Sequence, residues 1–360
     1  MPAKNKSTPK ATALVTATPA ATPVTPHFVG IDVSAKTLDV CITHADKIIS
    51  QQTLANTAAA HKQLCTQLGK YPQAQVVMEA TGVYHLDAAL ALSNASIPLM
   101  IANPKSAANF AKVLLKNGKT DKSDAKLLAQ YAQRMTFIPW QRPSKNALQL
   151  HQIARRLFQI TTLKTAEKNR LHALNIVEHM LDILTQTLLE HVASLEKQAQ
   201  QLLEAALVLV NADPDLKRKL DLIDSIPGFA VNSAVQILAH LLLMPPTLTA
   251  KQWVKMAGLD PRAFQSGTSI NRKTRISKTG NKHLRMALYM PALSAKTHNP
   301  HIKAYFEHLT VDLHKTPKQA LIAVMRKLLH TIHAVIAHNT PFQQGKFYTM
   351  PKTHTENVDF

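Results

Sequence analysis

Cysteine is almost missing from this sequence. Cys41 and Cys65 are the only two, and they form no Cys-x-x-Cys pair. That argues against a disulfide framework and a structural zinc site, and leaves a cytosolic compartment as the default. Long apolar runs are missing as well. No stretch of about 18 uncharged apolar residues occurs, so no membrane span is expected. Residues 1–26 are mostly Ala, Thr, Pro and Lys without an apolar segment. They read as a disordered basic arm and not as a secretory signal. Acid is the third scarcity: 22 Asp and Glu stand against 42 Lys and Arg, a formal net charge of +20. Such an excess usually meets a polyanion, because neutralising phosphates releases condensed counterions. A generally cationic soluble protein or a ribosome-associated factor has the same balance, so charge favours nucleic acid and leaves the chemistry open.

What is present is a chain with 46% hydrophobic residues, long enough for two or three domains. After the arm, 27–33, 37–42 and 47–52 are short apolar or β-branched runs separated by polar turns, the pattern of three strands in antiparallel hairpins. Helical spacing follows over 56–68, a buried strand over 75–79, a helix over 84–92 and a strand over 98–102. Further helices are expected from Pro104 and from Asp121. This order is that of an α/β ribonuclease H-like (RuvC-like) domain, in which the fourth strand lies beside the first. Residues 144 to about 210 contain neither Gly nor Pro. Their aliphatics recur at three and four, which predicts two long helices. A coiled-coil arm able to dimerise and a plain intramolecular hairpin fit equally well. From residue 215 a second, mainly α-helical region is expected, with a tail after about 342. The domains are thus read as 1–26 (arm), 27–143, 144–214, 215–342 and 343–360 (tail).

Four acids stand where an acid is unexpected. Asp32 interrupts one apolar strand and Glu79 ends another. Asp121 and Asp124 open a helix with i, i+3 spacing, which puts both carboxylates on one face. If the first and fourth strands are neighbours, Asp32 and Glu79 project side by side, and a helix laid across them completes a cage of four. Two Mg²⁺ ions suit such a cage, because they take oxygen ligands and clamp both oxygens of an in-line phosphoryl displacement. Singly, each acid has an ordinary reading as a turn cap, a solvated strand end or a first-turn acid favoured by the helix dipole. All four are harder to explain that way.

The second region holds Ser266-Gly267, read as a loop that can present a hydroxyl and let backbone approach a phosphate. Residues 251–285 contain nine Lys and Arg and one acid, Asp260. Arg272, Lys273, Arg275, Lys278, Lys282 and Arg285 could hold a scissile phosphate. An ordinary Ser-Gly turn within a DNA-binding surface is the bland alternative. Upstream, the Ile-Pro-Gly turn at Gly228 resembles a helix-hairpin-helix element, whose free N–H groups bind DNA phosphate. The 18 histidines show no metal-ligand spacing, and Trp140 and Trp253 read as core anchors.

In order and spacing, GIDVS, MEATG, NPK with KTDKSDA, IPGF, AGLDP, SGTS and ISKTGNKHLR resemble the DEDD family of insertion-sequence transposases. These are relatives of the Piv and MooV recombinases, and the family includes bridge RNA-guided recombinases. The resemblance spans roughly residues 28 to 342. It implies a RuvC-like nuclease domain with Asp32, Glu79, Asp121 and Asp124 as ligands for Mg²⁺, and a transposase domain with Ser266 as nucleophile. Ser269 stands close enough to compete for that role. It further implies a composite site shared between subunits, dimers pairing into a tetramer, and a structured noncoding guide RNA that selects donor and target DNA. Work in the bacterial cytoplasm at the nucleoid would follow. Two alternatives are a RuvC-type hydrolase using water and a non-catalytic nucleic-acid-binding protein.

Overall fold

The structure, a computed structural model, describes residues 26–71, 73–80, 82–114, 121–176, 181–266, 269–343 and 347; at 266 and 270–273 this covers the backbone alone. The arm and most of the tail lie outside the described residues. The chain divides into two compact units, residues 1–142 and 143–360.

The first unit is built on five strands: β1 (Phe28–Val33), β2 (Thr37–His44), β3 (Lys47–Ala55), β4 (Gln75–Glu79) and β5 (Leu99–Ala102). Their order across the sheet is β3-β2-β1-β4-β5. β1, β2 and β3 pair antiparallel, while β4 runs parallel to both β1 and β5. That is the ribonuclease H-like arrangement, with the fourth strand beside the first. Strand alternation gives the sheet two buried faces. On one, Val29, Ile31, Val40, Val76 and Met78 pack with Leu64 and Leu68 of α1 (Ala58–Leu68) and Leu92 of α2 (Leu86–Asn94). On the other, Val77 and Ala102 meet Ala107 of α3 (Pro104–Val113) and Leu128, Tyr131 and Ala132 of α4 (Asp121–Arg134). Trp140 leans on the first of these cores, and its backbone N–H donates to the Leu99 carbonyl at 2.6 Å.

The second unit opens with α5 (Lys145–Leu174) and α6 (Asp182–Asn211), 30 residues each and so about 45 Å long. They lie antiparallel, as Lys164 and Lys168 pair with Glu196 and Glu167 meets His191. Leu157, Ile160, Val192 and Leu195 fill the seam. Their roots, with Leu150, Ala154, Ala206 and Val210, belong to the large core of the unit. The rest of that core comes from α7 (Pro214–Asp224), α8 (Val231–Leu241), α9 (Ala250–Met256), α10 (Lys282–Ala287), α11 (Tyr289–His298), α12 (Pro300–Glu307) and α13 (Pro317–Ala337). α13 is long and apolar enough to span a membrane, which the search for uncharged runs missed because Lys318, Arg326 and Lys327 interrupt it. It buries Leu321, Val324, Leu328, Leu329 and Ile332, as the central helix of a core does. Between α9 and α10 stands a two-stranded hairpin, β6 (Pro261–Ser266) and β7 (Ile270–Ile276), which the sequence did not announce.

Candidate active site

The first unit brings the four acids to one end of one sheet face. Gly30 and Asp32, two apart on β1, share the face that α4 covers. A Cβ added at Gly30 would stand 2.0 Å from the Ala125 carbonyl oxygen and 2.3 Å from the Ala129 nitrogen. Only glycine therefore lets α4 rest directly on β1. One turn back from Ala125 is Asp121, and Asp124 immediately precedes it, so the acidic start of α4 comes to Asp32. The parallel β1–β4 register runs to Ile31 opposite Met78, which puts Glu79 beside Asp32. Glu79 also shares its face with Val77, which packs under α4.

Their proximity is visible in the charge of Asp32. Burial pushes its carboxyl up to about 6, and the neighbouring Asp124, Asp121 and Glu79 push the same way against a backbone hydrogen bond at Val33. The donor chemistry suits a hard divalent cation: four carboxylates, oxygen ligands throughout, in a field whose repulsion a cation would relieve. As placed, among the described residues no group of three or more His, Cys, Asp or Glu side chains is close enough to hold a metal ion. The acids are gathered, then, but not drawn into a coordination sphere.

A fifth acid belongs to the same row and went unread in the sequence. Asp39 of β2 is the direct partner of Asp32 and is 6% exposed. Thr53 of β3, its own partner on the other side, donates to its Oδ1 at 2.6 Å. The signal was present, an acid inside the apolar run Leu38–Ile42, but only strand register shows which neighbour it faces.

In the second unit, Ser266 is the last residue of β6 and not part of an open loop. Its side chain, Gly267, and the side chains of Arg272 and Lys273 lie outside the described residues. Ser269 lies in the turn and is exposed, as are Arg275, Lys278 and Lys282. Arg285 is differently engaged: its Nη1 donates to the Ala257 carbonyl at 2.8 Å, packed over Gly258. Gly228, with φ at +100°, takes a conformation that glycine alone adopts easily. A Cβ there would meet Ala295 of α11 at 2.6 Å, so the turn between α7 and α8 is pressed against α11.

In the same unit three histidines come together, one of them His283, which the sequence offered as a possible phosphate contact. The His151 and His240 rings stand 5.1 Å apart, and those of His240 and His283 stack at 6.0 Å. Burial, with Arg155 and the other rings adding, lowers His151 to about 4 and His240 to about 3. Both are neutral near pH 7, His240 buried and His151 half-buried, and Asn281 Nδ2 lies 3.3 Å from His240 Nδ1.

Comparison with known proteins matches both units. A DEDD transposase model fits residues 29–176, and the model described as "Transposase IS116/IS110/IS902 family" fits residues 220–307. The pilin gene-inverting protein of Moraxella bovis is 31% identical over 335 residues, covering 88% of this chain and 98% of that protein. Its counterpart in Moraxella lacunata is 31% identical over 339 residues, with the same coverage. An uncharacterized 43.6 kDa protein of insertion element IS110 from Streptomyces coelicolor is 25% identical over 163 residues, 45% of this chain and 39% of that one. T. thermophilus RuvC, solved in complex with a Holliday junction substrate, aligns with 32% of this chain and 99% of its own at 13% identity. The TM-score is 0.24, too low to add to what the sheet order shows.

Proposed function

Because the chain belongs to the IS116/IS110/IS902 transposase family, enzymes that act on DNA, we propose that it cuts and rejoins strands through a serine at a divalent-metal site. Asp32, Glu79, Asp121 and Asp124 would hold the metal, and Ser266 would be the nucleophile. The observation that carries this reading is the convergence of three elements. The ends of β1 and β4 and the first turn of α4 bring their acids to one face, under the close contact at Gly30.

Mg²⁺, two ions in this reading, would supply charge stabilisation at the scissile phosphate and activate the attacking hydroxyl. The chain's own part is then as follows. Ser266 Oγ attacks phosphorus and its proton passes to a base. The P–O bond to the leaving strand breaks, freeing a hydroxyl end and leaving DNA esterified to the serine. The hydroxyl of a second strand attacks that phosphorus, and the serine hydroxyl is restored. One phosphodiester breaks and one forms, so no external energy source is required. This fits strand exchange better than hydrolysis does.

Lys278, Lys282, Arg272, Lys273 and Arg275 would hold DNA backbone, with the turn at Gly228 and Arg285 supporting that surface. In its favour, among the described residues no ion pair engages Arg275, Lys278 or Lys282, whereas the cations of α5 pair with Glu167 and Glu196. The same cations suit a structured noncoding RNA, which we propose as the guide for donor and target choice. Residues 27–143 would act as the nuclease domain, 144–214 as the arm and 215–342 as the transposase domain. Ile176, Leu181, Ile183 and Leu184, exposed at the far end of the helical pair, would join subunits into a dimer or tetramer. The protein would work at the nucleoid in the bacterial cytoplasm.

The test is a covalent adduct. Full-length protein, element DNA, flanking RNA and Mg²⁺ are combined and resolved on denaturing gels, with Ser266→Ala and Ser269→Ala alongside. An adduct lost only in Ser266→Ala is expected. Cleavage that survives Ser266→Ala with no adduct in any lane would mean a hydrolase using water.

A further inference from the structure

At the foot of the β6–β7 hairpin, Arg275, already given to DNA backbone above, faces a second arginine that has no role there. Arg262 and Arg275 are direct cross-strand partners, one step from the closing pair Pro261–Ile276, and both are exposed. Like charges directly opposite each other weaken an antiparallel pair. The ordinary remedy, a nearby acid, is absent: among the described residues neither arginine makes an ion pair, and Asp260, the only acid in 251–285, is held by the Ser277 hydroxyl. Nor is the foot loose. Ser277 N–H donates to the Asp260 carbonyl at 2.9 Å and Lys278 N–H to the Gly258 carbonyl at 3.1 Å. The strand register shifts between Arg262 and Phe264, just beyond the pair.

We propose that Arg262 and Arg275 form a single seat for one phosphodiester group of the DNA backbone. Side chains directly opposite on an antiparallel pair start about 5 Å apart at Cβ, within reach of one phosphate for two guanidinium groups. An anion between them turns the repulsion into charge-assisted hydrogen bonds. Such a contact fixes where DNA lies and reads no sequence. The seat rests on DNA being the substrate, and on neither the metal nor the serine.

Arg262→Gln, Arg275→Gln and the double variant of the full chain are titrated with labelled duplex DNA of arbitrary sequence across a salt series. Duplex RNA of equal length is the second arm, and thermal melting is followed in parallel. Each single variant should lose on the order of tenfold in DNA affinity. The double variant should lose less than the product of the two, since both arginines serve one phosphate. Melting temperatures should hold or rise, because a like-charge pair has been removed. Unchanged DNA affinity in the double variant would overturn the seat, as would loss on RNA alone. Fully multiplicative losses would replace one seat with two separate contacts, and a fall in melting temperature matching the affinity loss would make the pair structural. A wild-type chain that ignored duplex DNA would overturn the DNA-directed reading itself.

Discussion

The sheet end of the first unit and the hairpin foot of the second concentrate charge of opposite sign by opposite means. At the sheet end, acids are gathered in a chain whose net charge is +20. They are set there by backbone register and by a helix seated on Gly30, and burial lifts Asp32 to about 6. At the hairpin foot, exposed cations are left uncompensated because the surrounding sequence supplies one acid and hydrogen-bonds it to Ser277. The first arrangement stands at the half-buried end of the sheet, where like charges held together cost folding energy. The second is stored on the surface, where water screens it and a mismatch costs little. Binding a cation would relieve the one, and binding a polyanion would use the other.

The largest effect should follow from breaking the acidic end. Asp32→Asn should take strand cleavage below detection while leaving the melting temperature unchanged or a few degrees higher, because a buried like-charge contact disappears. Calorimetric titration with Mn²⁺ should show weaker binding in the same variant; cleavage at the wild-type rate would remove the metal site from the proposal. Gly30→Ala comes next. Its methyl group would enter the backbone of α4, so urea unfolding should show a loss of about 3 kcal/mol, at the upper end for an overpacked core. A stability equal to wild type would mean that α4 does not rest on β1.

How far each region could be read from sequence follows the same division. The first five strands announce themselves as short apolar runs between polar turns, and an acid in such a run is conspicuous, which is why Asp32 and Glu79 stood out. Asp39 was equally visible and yet unread, since its meaning lies in being paired with Asp32. The hairpin strands Pro-Arg-Ala-Phe-Gln-Ser and Ile-Asn-Arg-Lys-Thr-Arg-Ile carry no apolar–polar alternation in sequence, so periodicity could not reveal them. The histidines failed to signal for another reason: His151, His240 and His283 come from three helices and are far apart in the chain.

Two of those histidines, His151 and His240, respond to acid in the direction opposite to Asp32. Asp32 is raised in the folded state, so between about pH 6 and 3.8 the folded chain holds a proton that the unfolded chain releases. Its contribution therefore improves as pH falls through that window, by on the order of 2 kcal/mol. His151 and His240 are lowered, so below about 6.5 the unfolded chain takes up protons that the folded one refuses until about 4 and about 3. Each then loses stability across that fall, on the order of 2 kcal/mol by the middle of the window. Trp140 and Trp253 lie one in each unit and are the only tryptophans. Urea unfolding of Trp140→Phe and Trp253→Phe at pH 7 and pH 5 separates the two, and the second unit should lose several kcal/mol relative to the first, where the gain at Asp32 offsets acid losses. Equal losses would contradict the neutral histidine cluster.

The smallest effect should come from Lys278, where charge and backbone preference disagree. Its φ of +53° lies in the left-handed region that glycine favours, and its N–H holds the Gly258 carbonyl at 3.1 Å. A lysine there carries about 1 kcal/mol of backbone strain. Lys278→Gly keeps the N–H and relieves that strain, against the entropy glycine adds to the unfolded chain. Stability should change by less than about 1 kcal/mol in either direction. If the cation serves phosphate, DNA affinity should nonetheless fall a few-fold, uniformly across sequences, and the salt dependence should lose about one phosphate contact. Affinity and salt slope both equal to wild type would leave the strained lysine without a DNA role and confine the cationic surface to the strands of the hairpin.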